Sequence, residues 1–183
     1  MTVSVAPTEF TMVMFDAPTI VRVAEQLLGE LGIERDLHIE VDETTPVARV
    51  VVRSLDPLVV SVESGAFEDS KRPRHLSELT TATNLARVLM RVTDRTGADF
   101  AAAPPDADLT LAQAAAWDTF AIGRFGRLGY SVHEPRWRYN FRNRHGFSDA
   151  ADQAFDRLWT AEQLDWAELE SLSAEATAAS AVG

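Results

Sequence analysis

The residues best suited to binding a ligand lie in one segment, 117–147, where arginine and aromatic side chains are concentrated. Eight of the chain's 15 aromatic residues fall in this segment. Its centre, Pro135–Arg144, alternates in residue type. Because successive side chains of a β-strand point to opposite faces, the alternation predicts a strand with two unlike faces. One face would carry Arg136, Arg138, Asn140, Arg142 and Arg144, and the other Trp137, Tyr139 and Phe141.

Arginine is the side chain best shaped to bind phosphate or carboxylate through two parallel N–H donors. The first candidates for contact with an anion or an acidic partner are therefore Arg136, Arg138, Arg142 and Arg144. The favoured alternative is that the rings are core and the arginines meet solvent or offset acidic side chains at Glu40, Asp42 and Glu63. Stacking of nucleic-acid bases needs rings and cations on one face, and the alternation separates them.

A second candidate site is the Gly-x-x-Gly at 123–126, which contains Arg124 and is followed by Arg127. Glycines at this spacing let backbone N–H groups approach a phosphate. The motif resembles the loop with which KH domains clamp a nucleic-acid backbone, which would imply nucleic-acid binding. The favoured alternative is that these glycines end a helix and allow tight packing. Further candidate cations, on a helix predicted over 77–95, are Arg87 and Arg91.

Catalytic and metal-binding signatures are weak. The chain has no cysteine, which excludes disulfides and thiolate chemistry, and its four histidines lack zinc-ligand spacing. We therefore predict no metal and no cofactor. If the protein is an enzyme, the acid–base candidates are His38 with Glu40 and Asp42, or His133 with Glu134. A solvated helix face accounts for the three acidic residues Asp149, Asp152 and Asp156.

The net charge of −11 is unevenly distributed. Residues 71–95 and 117–147 each carry a net +4, which leaves −19 on the rest of the chain. An acidic protein repels nucleic acid, although a local cationic segment can still bind an anion. The sequence shows no signal peptide and no apolar run of the roughly 18 residues that a membrane span needs. We expect a cytoplasmic protein, and its 16 arginines against one lysine are typical of a GC-rich bacterial genome.

Periodicity predicts a chain of short strands followed by helices. Strands are predicted over 9–15, 37–41, 47–53 and 58–63, the last three as an antiparallel meander. A helix with Asp16 as N-cap ends at Gly32, and a loop covers 65–75. The C-terminal part carries a helix over 109–120 broken by glycines, helices starting near Ser148 and Thr160, and a frayed tail over 174–183.

These elements predict an α+β fold, with a mainly antiparallel sheet of about four to five strands packed by helices and a helical C-terminal part. We expect a single domain over 1–183, with a possible sub-boundary at the linker 101–108. The order of helix, three strands and long helix resembles zincin-type metallopeptidases, in which the long helix supplies two histidines and a glutamate. Here the long helix offers Asn84, Arg87 and Arg91, so the resemblance implies a scaffold without metal ligands.

The function that fits these observations is a non-enzymatic binding or assembly protein. Its arginine-rich segments would meet a small anion or an acidic protein partner, which can be a second copy of the chain. An enzyme without a recognisable motif and a nucleic-acid binder are the alternatives, and nucleic acid is the least favoured partner.

Overall fold

The computed structural model describes residues 1–180 and divides the chain into two compact units, Met1–Val92 and Thr93–Gly183. The first unit contains both sheets, and the second is helical. The predicted α+β class and helical C-terminal part are therefore confirmed. The division falls within a long helix, α2 (Glu78–Thr96). No helix in residues 1–180 has the length and apolar character that crossing a membrane requires.

The main sheet of the first unit has four strands and is mixed. Its strands are β1 (Val3–Ala6), β2 (Leu37–Asp42), β3 (Val50–Leu55) and β4 (Leu58–Glu63), in the order β1-β2-β4-β3. The pairs β1–β2 and β2–β4 are parallel, and only β3–β4 is antiparallel. The prediction of a mainly antiparallel meander is wrong because β4, and not β3, lies beside β2, a non-local pairing that strand periodicity does not encode.

Alternating burial along the strands matches the predicted inward faces of β2 and β4. Leu37, Ile39 and Val41 of β2 are buried, and the same alternation recurs along β4. The strand predicted over 47–53 forms over 50–55 as β3. In the turn before it, Asp42 accepts hydrogen bonds from the Thr44 amide at 2.9 Å and from the Thr45 hydroxyl at 2.8 Å.

The strand predicted over 9–15 is wrong, and the N-terminal strand is β1. Glu43 holds the segment after β1 in a non-strand conformation, accepting from the amides of Thr11 at 2.8 Å and Met12 at 2.6 Å. Only Met14 reaches a strand-like pairing, in an isolated bridge with His75. The run is therefore a loop that Glu43 tethers.

Helix α1 (Ala17–Glu30) forms as predicted. The Asp16 side chain accepts from the Thr19 amide at 3.0 Å, and Gly32 follows the helix with a φ of +64°. Its buried face includes Ile20, Leu27 and Leu28. The loop predicted over 65–75 contains instead a small hairpin, β5 (Glu68–Asp69) with β6 (Arg72–Leu76).

The second unit packs four helices around an aromatic core. They are α3 (Leu111–Arg127), α4 (Glu134–His145), α5 (Asp149–Thr160) and α6 (Trp166–Ser180). The large side chains of this core include Trp117, Phe120, Phe141, Phe155 and Trp166. The predicted linker 101–108 is tied to this unit, since Arg95 donates to the Pro104 carbonyl and to Asp106, each at 2.7 Å.

Two helix boundaries in this unit differ from prediction. Helix α3 runs through Gly123 and Gly126, which were predicted to break it. The predicted helix start at Thr160 is the end of α5, and α6 begins after Asp165, which accepts from the Glu168 amide at 2.8 Å. Residues 174–180 of the predicted frayed tail belong to α6, and 181–183 lie outside the described residues.

Candidate functional site

The arginine–aromatic segment is a helix, so the prediction of a two-faced strand is wrong. His133 precedes α4 and its Nδ1 accepts from the Arg136 amide at 3.3 Å, with Pro135 in the first turn. Gly146, with a φ of +97°, follows the last helical residue. These are the start and stop signals of a helix. Successive residues of a helix are about 100° apart, so residues three or four positions apart share a face. The arginines therefore do not all lie on one face, as they would in a strand.

The inner side of α4 carries Arg138 and Arg142, four residues apart and directed at α5. Arg142 forms a fork with Asp152, with Nε 2.8 Å from Oδ1 and Nη2 2.6 Å from Oδ2. Arg138 donates to Glu134 at 2.8 Å and to Asp156 at 2.5 Å. We call these five residues the α4–α5 ion ladder.

The ion ladder neutralises its arginines within the unit. Its hydrogen bonds raise the pKa of Arg142 and lower the pKa of Asp152. Burial lowers the pKa of Arg138, but the hydrogen bonds to Glu134 and Asp156 outweigh burial and raise it overall. The acids that meet these two arginines are Glu134 of α4 and Asp152 and Asp156 of α5, whereas the prediction named Glu40, Asp42 and Glu63.

The outer side of α4 is exposed and carries the other two arginines. We define the α4 outer surface as Arg136, Tyr139, Asn140, Asn143, Arg144 and the adjoining Phe147. Its helical members span an arc of about 140° at the 100° helical step. Tyr139 and Phe147 are 57% and 65% exposed, and their rings meet edge to face with centroids 6.0 Å apart. Of the rings predicted as core, Phe141 is buried, Trp137 is half-buried and Tyr139 is exposed.

The arginines of the Gly-x-x-Gly motif bind groups of their own unit. Arg124 forks onto Asp94, with both N–O distances 2.7 Å, and its guanidinium lies over Phe120. The Asp94 side chain is only 6% exposed and also accepts from the Trp117 indole N–H at 2.7 Å. Arg124 therefore stabilises the core.

Arg127 is the last residue of α3, and its guanidinium reaches the end of α5. There it donates to the carbonyls of Trp159, at 2.6 Å, and Ala161. Burial lowers its pKa. A Cβ on Gly123 would lie 2.2 Å from the Trp159 carbonyl oxygen, so this glycine allows α3 to approach α5. The motif lies inside a helix and forms no KH-like loop.

The remaining candidate cations lie on α2. Arg91 is 6% exposed and Arg87 is half-buried, so neither residue is as exposed as Arg136 and Arg144. The structure thus leaves two of the eight predicted site arginines, Arg136 and Arg144, together on one exposed surface of the second unit.

The acid–base candidates form a polar row on the sheet. Ser4 Oγ lies 2.8 Å from His38 Nδ1, and His38 Nε2 lies 3.9 Å from Glu40 Oε1. Nucleophilic catalysis uses a hydroxyl, a histidine and a carboxylate in this order, but in a site that shields the reaction from water. The side chains of Ser4, His38 and Glu40 are solvated on the strand face. Asp42 accepts hydrogen bonds from Thr44 and Thr45, which lower its pKa. Within residues 1–180, no group of three His, Asp or Glu side chains is placed to hold a metal ion.

His133 and Glu134 serve the first turn of α4, as its N-cap and as a partner of Arg138. Sequence reasoning missed the role of Asp152 and Asp156. The signal was their four-residue spacing, which equals that of Arg138 and Arg142 and allows two helices to pair ion by ion.

Comparison of the chain with models of protein families, with curated proteins and with solved structures finds no match. The chemistry of the α4 outer surface is therefore the basis on which a function can be argued. That surface combines two guanidinium groups, two amides and two aromatic rings, all accessible to a partner.

Proposed function

We propose that the chain is a non-enzymatic binding protein and that the α4 outer surface binds an acidic segment of a partner protein. The observation that carries the proposal is the division of the α4 arginines. Arg138 and Arg142 are neutralised by the ion ladder, whereas within residues 1–180 neither Arg136 nor Arg144 forms an ion pair. The second unit therefore presents two arginines without an ion-pair partner in residues 1–180, beside two exposed rings, and these side chains are available to a partner.

The residue types on this surface are those that dominate binding energies between proteins. Arginine and tyrosine are enriched among the residues whose truncation costs most, and aromatic rings supply rigid apolar area. Burying an exposed phenylalanine completely contributes about 1.5–3 kcal/mol. Phe147 and Tyr139 would thus provide most of the affinity, while Arg136 and Arg144 would select a partner that carries carboxylates.

A protein segment fits this surface better than nucleic acid does. The helix does place rings and arginines on one side, the arrangement that base stacking needs. However, a phosphate backbone is held by many cations, and this surface supplies two. The second unit also carries 14 acidic residues against eight arginines, which repels a polyanion.

A second copy of the chain can supply the acidic segment. Helix α6 carries exposed carboxylates at Glu168, Glu170 and Glu175. Sedimentation equilibrium over a range of concentrations distinguishes this source from a different protein. A mass that rises with concentration, and that the variant Arg136→Gln/Arg144→Gln reduces to one chain, identifies self-association.

The direct test uses a hexaglutamate peptide as the probe for an acidic protein segment. A ten-nucleotide oligothymidine is the comparison probe for nucleic acid. Binding is followed by NMR shifts of the Asn140 and Asn143 side-chain amides. We expect hexaglutamate to shift both amides and Arg136→Gln/Arg144→Gln to weaken binding about 2- to 30-fold, from roughly 0.2–1 kcal/mol per exposed ion pair.

The matched control is Arg157→Gln, which removes an exposed arginine from α5 of the same unit and should leave the affinity unchanged. No shift with hexaglutamate contradicts the proposal. Tighter binding of oligothymidine, with a steep loss as salt is added, contradicts it in favour of a nucleic-acid function.

A further inference from the structure

His145, the last residue of α4, is buried with both ring nitrogens engaged. The residue is only 1% exposed, and its ring stacks on that of Phe141 with centroids 3.8 Å apart. Nδ1 lies 3.0 Å from the Phe141 carbonyl oxygen, and Nε2 lies 2.9 Å from the Ser173 hydroxyl of α6. The neutral tautomer with a proton on Nδ1 satisfies both contacts, since the hydroxyl then donates to Nε2.

This histidine anchors the end of α4 that carries part of the outer surface. Arg144 precedes it, and the Gly146 turn and Phe147 follow it. The Gly146 amide donates to the Arg142 carbonyl at 2.7 Å, which closes the last turn. The packing of one buried ring against α6 therefore fixes the positions of Arg144 and Phe147.

Several charged side chains of the surrounding helices have partners other than His145. On α4, Arg138 and Arg142 bind α5 acids, and on α6, Glu170 accepts from Gln113. On α3, Arg124 binds Asp94.

On α5, Asp152 is held by Arg142, and Asp149 is exposed at the helix start. A proton added to His145 would thus create a buried charge without a carboxylate partner. Burial accordingly lowers the pKa of His145, and the Phe141 carbonyl offsets that effect only in part.

We propose that protonation of His145 releases the last turn of α4 and with it the Arg144 and Phe147 end of the outer surface, so that mild acid weakens partner binding. The opening itself is independent of the proposed function, and only its effect on binding rests on that function. Because the open form accepts the proton more readily, the closed form is stable above the ordinary histidine pKa of about 6.5. It loses stability as the pH falls from there through the lower pKa of the closed form, by at most about tenfold per pH unit.

Hydrogen exchange of the Gly146 amide in the whole chain tests the opening, at about pH 7.5 and about pH 5.5, on either side of the histidine pKa. After correction for intrinsic exchange, we expect its protection to fall at the lower pH by up to about tenfold per pH unit below 6.5. His145→Gln, which keeps a polar side chain and cannot titrate, should abolish the fall. His133→Asn, which keeps an N-cap acceptor at the other end of α4, should retain it.

Protection that does not change with pH in the wild type, or that changes equally in His145→Gln, overturns the inference. Because His145→Gln can fail to fold, the wild-type ring is also titrated through its Cε1–H signal by NMR. A midpoint below that of a free histidine supports the inference, and a midpoint at or above it overturns it.

Binding of hexaglutamate at the same two pH values separates the two proposals. Weaker binding at the lower pH in the wild type but not in His145→Gln supports the coupling of the histidine to the surface. Equal binding at both pH values despite the opening overturns that coupling. If hexaglutamate binds at neither pH, the proposed function fails, and hydrogen exchange alone decides whether the histidine opens the turn.

Discussion

The two sides of α4 use the same residue type in opposite ways. On the inner side, Arg138 and Arg142 are held by carboxylates of α5, whereas on the outer side Arg136 and Arg144 point to solvent beside exposed rings. Four arginines that look equivalent in the sequence thus divide into a pair that the fold uses and a pair that it leaves available. A cationic segment is a binding site only where the neighbouring helix has not already neutralised it.

Arg124 of α3 is also held by a carboxylate, and its partner Asp94 is buried. Removing that partner should lower the free energy of unfolding more than any other change proposed for this comparison. Asp94→Ala leaves the Arg124 guanidinium and the Trp117 indole without their buried acceptor. Breaking a buried pair in this way costs about 3–5 kcal/mol. Urea unfolding should show that loss in the free energy of unfolding. A loss as small as that of an exposed arginine variant would mean that Arg124 does not belong with the structural arginines.

The approach of α3 to α5 brings the next effect. Gly123→Ala places a Cβ against the Trp159 carbonyl, and we expect it to destabilise the protein by about 1–3 kcal/mol as the helices move apart. Gly29→Ala is the matched control, since a Cβ there meets nothing within 4 Å and a helical Gly→Ala change is usually stabilising. Equal midpoints of thermal unfolding for the two variants would contradict the close packing.

Acid should remove the stability that the ion ladder on the inner side of α4 contributes. The hydrogen bond from Arg142 lowers the pKa of Asp152, so the folded state keeps this carboxylate ionised where the unfolded chain protonates it. Its contribution is complete above the unfolded value of about 3.9 and is lost as the pH falls through the lower folded value. Urea midpoints across that range should fall more steeply for the wild type than for Asp152→Asn. Parallel curves would show that the ion ladder contributes nothing to acid stability.

The outer pair should have the smallest effect on stability. Arg136→Gln/Arg144→Gln removes two exposed side chains that form no ion pair within residues 1–180, and surface changes of this kind usually stay within about 0.5 kcal/mol. Thermal unfolding checks this expectation. A clear drop in the midpoint would place these arginines with the inner pair.

Elements with local signals could be predicted from the sequence. Helix α1 follows from Asp16 and the glycine at its end, and β4 forms over the residues that its alternation predicts. The parallel pairing of β2 with β4 could not be predicted, because it joins segments that are distant along the chain. The same limit applies to Gly123, whose role depends on a carbonyl contributed by another helix.

The candidate site shows where two local signals compete. Alternation over 136–144 predicts a strand, while His133, Pro135 and Gly146 mark a helix, and the helix signals describe the structure. The arginine set was named from the sequence, but its division into two sides required the position of α5. The assignment of the outer pair to a partner stays a prediction.

The measurement that tests the central claim most directly compares two double variants for two properties. Arg138→Gln/Arg142→Gln and Arg136→Gln/Arg144→Gln each remove two arginines from α4, and both are measured for urea midpoint and for hexaglutamate affinity. We predict that the inner variant loses stability, and that the outer variant keeps stability and loses affinity. If the outer variant unfolds as early as the inner one, or binds hexaglutamate as tightly as the wild type, then the division of α4 into a structural side and a binding side is wrong.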